Sequence, residues 1–357
     1  GRVTSVRQGY LSDDEIWYVQ MDYTDNGQVE SRIDANNNET MYAYDGFDRL
    51  DTITYPDITL TEKFGYDKNN NQTSWKKRDG KILTYLFDNT NLKTDTSIPI
   101  PGEDDIVFTY DTMGRQSTIT KGTNVTSYTY DDLGRMQTTT TNGRTLQYQY
   151  DNANRRTRLT HPDSAVYFTY IYDDTGALEQ IKEIGTTTLV SYGYDNVGRL
   201  TSITRGGSTS STIGYDDIGR VDLYQHNGFN STGFGYNPAG QIIEQTETDK
   251  RFGIATPALG TQSYAPNSMN QYVSINNVSL GHDLNGNTTG YDNWTYGFDA
   301  KNQLTSATKT GTTLTIGYDA TGRLSASTLN GTKTEFLYDG DELVAEYQNN
   351  ALTKRYV

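Results

Sequence analysis

Short runs of alternating apolar and polar residues, separated by turn-forming residues, fill most of this chain. In one run, Tyr128 and Tyr130 stand two residues apart with the polar Thr129 between them. Side chains two apart on a strand share a face, so each run predicts a β-strand with one aromatic face. No stretch keeps the 3.6-residue period of an amphipathic helix over three turns, which indicates an all-β chain.

One phrase recurs throughout: Tyr-Asp, two variable residues, Gly-Arg, and then a strand-like run. The basic period is about 20 residues: Tyr110 and Tyr130 are 20 residues apart, and Tyr194 and Tyr215 are 21 apart. About 20 residues make one β-hairpin, so the sequence predicts tandem antiparallel hairpins that pair side by side. The residues that we assign to this structural repeat motif are Tyr44, Asp45, Tyr110, Asp111, Gly114, Arg115, Tyr130, Asp131, Gly134, Arg135, Tyr194, Asp195, Gly198, Arg199, Tyr215, Asp216, Gly219, Arg220, Tyr318, Asp319, Gly322 and Arg323.

The Asp-x-x-Gly part of the phrase predicts a turn. An Asp at its first position accepts hydrogen bonds from backbone N–H groups two or three residues on, and the Gly tolerates positive φ. The Arg that follows begins the return strand, close enough to reach the Asp across the turn. A second turn closes each unit, with pairs such as Asn142-Gly143 and Asn330-Gly331 that are typical of two-residue hairpins.

The return strand leaves one question open. Leu200 and Ile203 are three residues apart, so on a regular strand they point to opposite faces. Either a β-bulge intervenes between them, or the strand has two semi-apolar faces.

Composition supports a folded but unusual interior. Hydrophobic residues make up 33% of the chain and its mean hydropathy is −0.75, yet it contains 29 tyrosines, which disordered chains lack. We therefore expect Tyr rings to line the sheet and to take over much of the work that Leu and Ile do elsewhere. The net charge of −15 argues against binding to nucleic acid or anionic membrane. There is no cysteine, and no apolar run approaches the ~20 residues of a membrane span.

The rhythm of repeats predicts a single repeat segment over residues 1–357 with two interruptions. Irregular loops or excursions are expected at about 91–107 and about 246–277. The chain opens with Gly1-Arg2-Val3, which matches the second half of a repeat. We therefore expect it to be a piece of a longer polypeptide.

Three histidines are candidate ligands, but each occupies an ordinary repeat position. His161 falls in a turn, His226 precedes an Asn-Gly turn, and His282 replaces the repeat Tyr. A metal site would need all three to converge, so we predict no metal site.

Three Asp-x-Asn-x-Asn-like runs, at Asp34, Asp67 and Asp283, resemble the start of a calcium loop. They lack the Gly at the sixth and the Glu at the twelfth position, and Asx turns explain them. Paired carboxylates such as Asp216-Asp217 are neighbours on a chain and face apart on a strand. With no catalytic motif or phosphate-binding loop, we predict no catalytic residue, no cofactor and no enzymatic activity.

With five exact copies and seven looser ones, the phrase Tyr-Asp-x-x-Gly-Arg resembles the YD repeat of Rhs proteins, of the B and C components of insecticidal toxin complexes, and of teneurins. The resemblance covers nearly the whole chain, and the run from Tyr338 to Val357 resembles the entry to the Rhs-associated core. It implies a spiral sheet, wound as an open spiral or a partial hollow shell. In that family such a shell encloses a C-terminal effector, often a toxin.

The leading hypothesis is therefore a structural segment of a secreted or cell-surface bacterial protein that encloses or carries an effector. Its expected partner is the remainder of its own polypeptide, and a carbohydrate or cell-surface receptor is a further possibility. Two alternatives stay open: a carbohydrate-binding or adhesion module that uses outward aromatic strips, and a glycan-active enzyme that uses a carboxylate pair near 246–277.

Overall fold

The computed structural model describes residues 2–8, 16–163, 165–207, 209–228, 230–249 and 260–356. These residues form β-strands joined by turns and short loops, and the described part of the chain contains no helix. The strands pair antiparallel with strands that precede or follow them in sequence, as in the hairpin of Thr187–Tyr194 with Leu200–Arg205. The prediction of an all-β chain of tandem antiparallel hairpins is confirmed.

The chain divides into two compact units, Gly1–Ser127 with Thr261–Tyr356, and Tyr128–Gly260. The first part of the first unit contains β1 (Ser5–Gln8), β2 (Ile16–Tyr23), β3 (Val29–Asp34), β4 (Glu39–Tyr44), β5 (Leu50–Thr54), β6 (Thr61–Tyr66), β7 (Gln72–Lys76), β8 (Ile82–Phe87), β9 (Lys93–Ser97), β10 (Ile106–Tyr110) and β11 (Gln116–Lys121). The next strand, β12 (Asn124–Tyr130), runs from the first unit into the second.

The second unit contains β13 (Met136–Thr141), β14 (Arg144–Tyr150), β15 (Arg156–Thr160), β16 (Tyr167–Tyr172), β17 (Leu178–Glu183), β18 (Thr187–Tyr194), β19 (Leu200–Arg205), β20 (Thr209–Tyr215), β21 (Val221–His226), β22 (Asn230–Tyr236) and β23 (Ile242–Glu247). The remaining part of the first unit contains β24 (Tyr264–Pro266), β25 (Tyr272–Ile275), β26 (Val278–His282), β27 (Thr288–Tyr291), β28 (Trp294–Phe298), β29 (Leu304–Lys309), β30 (Thr312–Tyr318), β31 (Leu324–Leu329), β32 (Thr332–Asp339), β33 (Glu342–Gln348) and β34 (Ala351–Arg355).

A β-bulge settles the question of the return strand. Gly193 pairs with Ser202, but the next residue, Tyr194, pairs with Leu200, so Thr201 is left over. The extra residue places Leu200 and Ile203 on the same face as the tyrosines. The register shifts at the same point in repeats of both units, for example at Tyr44, Tyr66, Tyr110, Tyr150, Tyr215 and Tyr318.

The apolar face is shared by tyrosines and aliphatic residues, which are buried to different degrees. In β14, Leu146 is 0% exposed and Tyr148 7% exposed, whereas Gln147 and Gln149 on the other face are exposed. Tyr194 and the other tyrosines of the assigned motif are half-buried. The best-buried residues therefore include many aliphatic side chains, so Tyr supplements Leu and Ile more than it replaces them.

The interruption predicted at about 91–107 contains β9, a longer loop and the start of β10. The residues between β9 and β10 form a longer loop in which Glu103 N–H donates to Ile100 C=O over 3.1 Å. The predicted excursion at 246–277 falls partly on residues 250–259, which lie outside the described residues. Its described C-terminal part, from 260 onward, contains β24, β25 and a turn between them.

Candidate functional site at the Tyr-Asp turns

The Asp of each Tyr-Asp turn is the acceptor around which the turn folds. Asp195 Oδ1 accepts the N–H groups of Val197, at 3.0 Å, and Arg199, at 2.9 Å, while Oδ2 accepts Arg199 Nε at 2.7 Å. Gly198 has φ +82°, as the sequence pattern predicts. One carboxylate thus satisfies two backbone donors and the guanidinium of the return strand.

This geometry recurs at the other assigned positions. The equivalent Arg donates Nε to the turn Asp at 2.6–2.8 Å in the turns that begin at Asp45, Asp111, Asp131, Asp216 and Asp319. The glycines also adopt positive φ, at Gly114, Gly134, Gly219 and Gly322. The predicted contact between Arg and Asp across the turn is present in each of these repeats.

The same hydrogen bonds perturb the titration of the carboxyl. The backbone N–H of Arg199 and then its side chain lower the pKa of Asp195 below its ordinary value, against an opposing effect of desolvation. In the turn at Asp67, the side chain of Asn71 is the largest influence and again lowers the pKa of the Asp. The turns are therefore built for the ionised carboxylate.

The Arg also reaches forward to the next repeat. The guanidinium of Arg199 lies 4.5 Å from the centre of the Tyr215 ring, and that of Arg220 lies 4.3 Å from the Tyr236 ring. Arg135 Nη1 adds a hydrogen bond to the backbone carbonyl of Asp151, at 3.1 Å. Each such Arg stabilises its own turn and the aromatic ring of its neighbour.

The Tyr hydroxyl reaches back to the preceding repeat. Tyr194 donates to the carbonyl of Leu178 at 2.8 Å, and Tyr215 donates to Leu200 at 2.8 Å. Tyr44, Tyr110 and Tyr318 donate in the same way, to Val29, Lys93 and Leu304. We call this chain of Tyr, Asp and Arg contacts between successive turns the turn ladder.

Contacts within the first unit join its two sequence segments without backbone pairing. Lys77 is 1% exposed, and its ammonium donates to the carbonyl of Ala300, at 2.5 Å, and to Asn302 Oδ1, at 2.7 Å. Both carboxylate oxygens of Glu103 accept the Ala300 N–H at 3.0 Å. Burial lowers the pKa of Lys77, because desolvation disfavours the charged form. The turn at Ala300 is therefore held from both sides.

Sequence reasoning missed these contacts, because they join residues more than 190 positions apart. It also missed the turn at Asn267, which has no Tyr-Asp before it. There Asn267 Oδ1 accepts the N–H groups of Met269 and Gln271, as Asp does elsewhere. Asn270 has φ 57°, so Asn takes the place of Gly at the fourth position of this turn.

The other candidate groups lie in separate places. His226 Nδ1 is 3.2 Å from Ser211 Oγ, His282 Nε2 is 3.4 Å from Thr288 Oγ1, and the His161 ring packs edge-on against Phe168. Among the described residues, no group of three or more His, Cys, Asp or Glu could hold a metal ion. The glycan-active alternative depends on a region that lies partly at 250–259, outside the described residues.

The carboxylates of the calcium-like runs are engaged in their own turns, as Asp34 illustrates. Asp34 Oδ1 accepts the N–H groups of Asn36 and Asn38, at 2.8 and 3.0 Å, and its Oδ2 accepts Asn38 Nδ2 at 3.1 Å. This is the Asx-turn geometry.

Matches to known proteins indicate the same family as the repeat. Residues 59–183 match the family model described as Teneurin YD-shell. Over 96 residues, or 25% of this chain and 4% of the relative, the chain is 32% identical to the tRNA nuclease WapA of Bacillus subtilis (strain 168). Residues 59–183 are therefore similar to the repeats of the YD-shell family, and the repeat motif extends that similarity along the chain.

Solved structures show the same fold over nearly the whole chain. A chain of the Tc holotoxin pore of Photorhabdus luminescens matches with a TM-score of 0.69 and 12% identity, over 96% of this chain and 23% of that chain. TcdB2-TccC3 without its hypervariable C-terminal region matches with a TM-score of 0.68, 12% identity and the same coverage. This chain thus corresponds to under a quarter of either toxin chain.

No helix in the described residues is both long enough and apolar enough to span a membrane.

Proposed function

We propose that this chain is a structural wall of a secreted or cell-surface protein, and that the wall encloses or carries an effector from the same polypeptide. The turn ladder is the observation that carries the proposal. Strand pairing joins repeats along their length, and the ladder ties their turns to the repeats before and after. A repeat held in this way has few routes to separate from its neighbours, which suits a barrier.

The relatives support this role. One toxin relative is described with a hypervariable C-terminal region, and the Bacillus relative is named as a tRNA nuclease. In the proposed arrangement, repeats of this kind are the constant carrier and the variable or enzymatic part is the cargo. In this proposal the carrier acts without catalytic residues or a cofactor, and its first partner is the rest of its own chain.

The wall would act by separating the effector from its surroundings and by contacting the effector through one face of the sheet. Its half-buried tyrosines present their rings on one face of the sheet, so that face can contact a partly folded passenger. The net charge of −15 keeps the carrier soluble and opposes self-association. In the proposed arrangement the sheet curls so that the tyrosine face turns inward, as an open spiral or partial shell.

Protease protection tests the proposal directly. In the intact protein that contains this chain, the polypeptide following the repeats should resist a protease at concentrations that digest it when it is expressed alone. Digestion at equal rates with and without the repeats would overturn the wall function. A fusion of the same following segment to an unrelated soluble domain is the matched control.

The digestion pattern of this chain supplies a second readout. A continuous wall should be cut first near 91–107 and 246–277, where the repeat rhythm is interrupted, and only later inside the hairpins. Early cuts spread evenly over the regular repeats would contradict a continuous wall.

A further inference from the structure

Arg32 occupies a position that other repeats give to a buried aliphatic residue. It pairs with Met21, two residues before the repeat Tyr23, as Ile119 pairs with Phe108 two residues before Tyr110. The equivalent residues Ile119, Leu159 and Ile181 are only 4%, 3% and 7% exposed. Arg32 is exposed, and it has neither a hydrogen bond nor an ion pair with any residue that the structure describes.

A cavity of about 220 Å³ opens beside this guanidinium, within the first unit. Arg78 and Tyr55 line it from one side, and the turn at Ser268 and Met269 lines it from the other. Arg78 also has a buried Nε without a hydrogen bond, 3.5 Å from Glu62 Oε1. Arg78 is therefore ion-paired with Glu62, and it also donates Nη2 to the carbonyl of Asn285. Within the described part of the chain, Arg32 is thus the guanidinium at this space without a charged partner.

The acidic residue in the cavity wall, Asp34, forms no ion pair with either Arg among the described residues. Asp34 Oδ1 is engaged by the two N–H groups of its own turn, and Oδ2 accepts Nδ2 of Asn38 and Nδ2 of Asn270. A carboxylate saturated in this way is a poor partner for a further cation. Arg32 is left with all of its donors available, in the planar fork that suits a carboxylate.

We propose that this cavity binds an acidic sugar, a single hexuronate unit. Its carboxylate would take the fork of Arg32. Thr40 and Ser268 offer hydroxyl groups for the sugar hydroxyls, and the ring of Tyr55 and the side chain of Met269 supply apolar surface for its C–H groups. The volume is below the roughly 300–1,000 Å³ of a drug-sized pocket, which fits one sugar unit and no more. The site is independent of the wall function.

Calorimetric titration of this chain with sodium glucuronate, glucose and sodium acetate tests the assignment. Glucuronate should bind, and glucose and acetate should each bind at least about tenfold more weakly. Glucose lacks the carboxylate, and acetate lacks the sugar ring and its hydroxyl groups. Glucose binding as tightly as glucuronate would overturn the role of Arg32. Acetate binding as tightly would overturn the sugar.

Variants separate recognition from folding. Arg32→Gln should weaken glucuronate binding by about tenfold or more and leave the melting temperature unchanged, because Arg32 has no partner in the described structure. Arg32→Lys keeps the positive charge and loses the planar fork. Its affinity for glucuronate should therefore lie between those of the parent and Arg32→Gln. The control Lys68→Gln removes an exposed charge that does not line the cavity, and it should bind like the parent. Unchanged binding in Arg32→Gln, or equal loss in Lys68→Gln, would refute the site.

Discussion

Two turns of the same length solve the same problem with different residues. In the turn from Asp195 to Arg199, the Asp accepts two N–H groups through Oδ1 and an Arg Nε through Oδ2. In the turn from Asp67 to Asn71, Oδ1 again accepts two N–H groups, at 2.8 and 2.9 Å, and Oδ2 accepts Asn71 Nδ2 at 2.8 Å. The local fold of the turn is therefore set by the Asp.

The two turns differ in what they reach beyond themselves. Arg199 extends to the ring of Tyr215 in the next repeat, whereas Asn71 ends at Asn91 Oδ1, 3.1 Å away. Asn thus replaces Arg within the turn and forms a shorter, purely polar link to the next one. The comparison separates two roles of the motif: Asp folds each turn, and the residue four positions later joins successive turns.

Acidification is expected to have the largest effect, because it acts on both kinds of turn at once. Asp195 and Asp67 have pKa values below the ordinary value, so their contribution to stability is complete above about pH 4 and is lost as the pH falls through the lowered pKa. Melting temperatures measured from about pH 7 down to about pH 2 should fall steeply below about pH 4. A flat profile there would mean that the carboxylates do not fold the turns.

The next largest effect on stability is expected from replacing the turn glycine that has positive φ. Gly198 has φ +82° and no heavy atom within 4 Å of an added Cβ, so Gly198→Ala should cost roughly 1–2 kcal/mol through backbone strain alone. Gly46→Ala is the control, since that glycine has equal space and no positive φ. Urea unfolding midpoints should separate the two variants. Equal midpoints would contradict the strain argument.

Removal of the Tyr hydroxyl tests the backward link of the ladder. Tyr194→Phe loses the hydrogen bond to the Leu178 carbonyl and should destabilise the protein by about 1 kcal/mol. The repeat at Phe87 naturally lacks this hydroxyl, so Phe87→Tyr is the matched reverse change and should stabilise. Both can be measured by chemical denaturation. If neither variant shifts the midpoint, the hydroxyls do not link the repeats.

The smallest expected effect comes from converting one kind of turn into the other. Asn71→Arg should keep the bond to Asp67 and place a guanidinium over Phe87, with a gain of about 0.5–1 kcal/mol. Arg199→Asn should lose a similar amount. A double variant of Asn71→Arg with Phe87→Leu, compared with the two single changes, isolates the contact with the ring. Additive effects would mean that the ring contributes nothing.

The sequence predicts the parts of this structure that are local. The Asp turn, the left-handed Gly and the contact from Arg to Asp all join residues within one turn, where residue chemistry determines geometry. The bulge was one of two alternatives that the sequence left open, because the spacing of Leu200 and Ile203 is compatible with a bulge or with a strand that has two semi-apolar faces. Pairing with a particular neighbour decides between them.

Contacts between repeats were less accessible to sequence reasoning. The need of the Tyr hydroxyl for a partner is a general rule, but its choice of the Leu178 carbonyl depends on how two hairpins are staggered. The burial of Lys77 against Ala300 depends on residues more than 200 positions apart. Nothing in the local sequence of Arg32 shows that a cavity lies beside it.

The bulged residue has a consequence for how such a chain can change in evolution. Thr201 keeps Leu200 and Ile203 on the same face as the tyrosines. Loss of that single residue would therefore move one of these two apolar side chains to the opposite face of the sheet. Whole repeats can be duplicated or lost without disturbing this arrangement. Genes for such proteins should therefore grow and shrink by complete modules, with single-residue insertions confined to the loops.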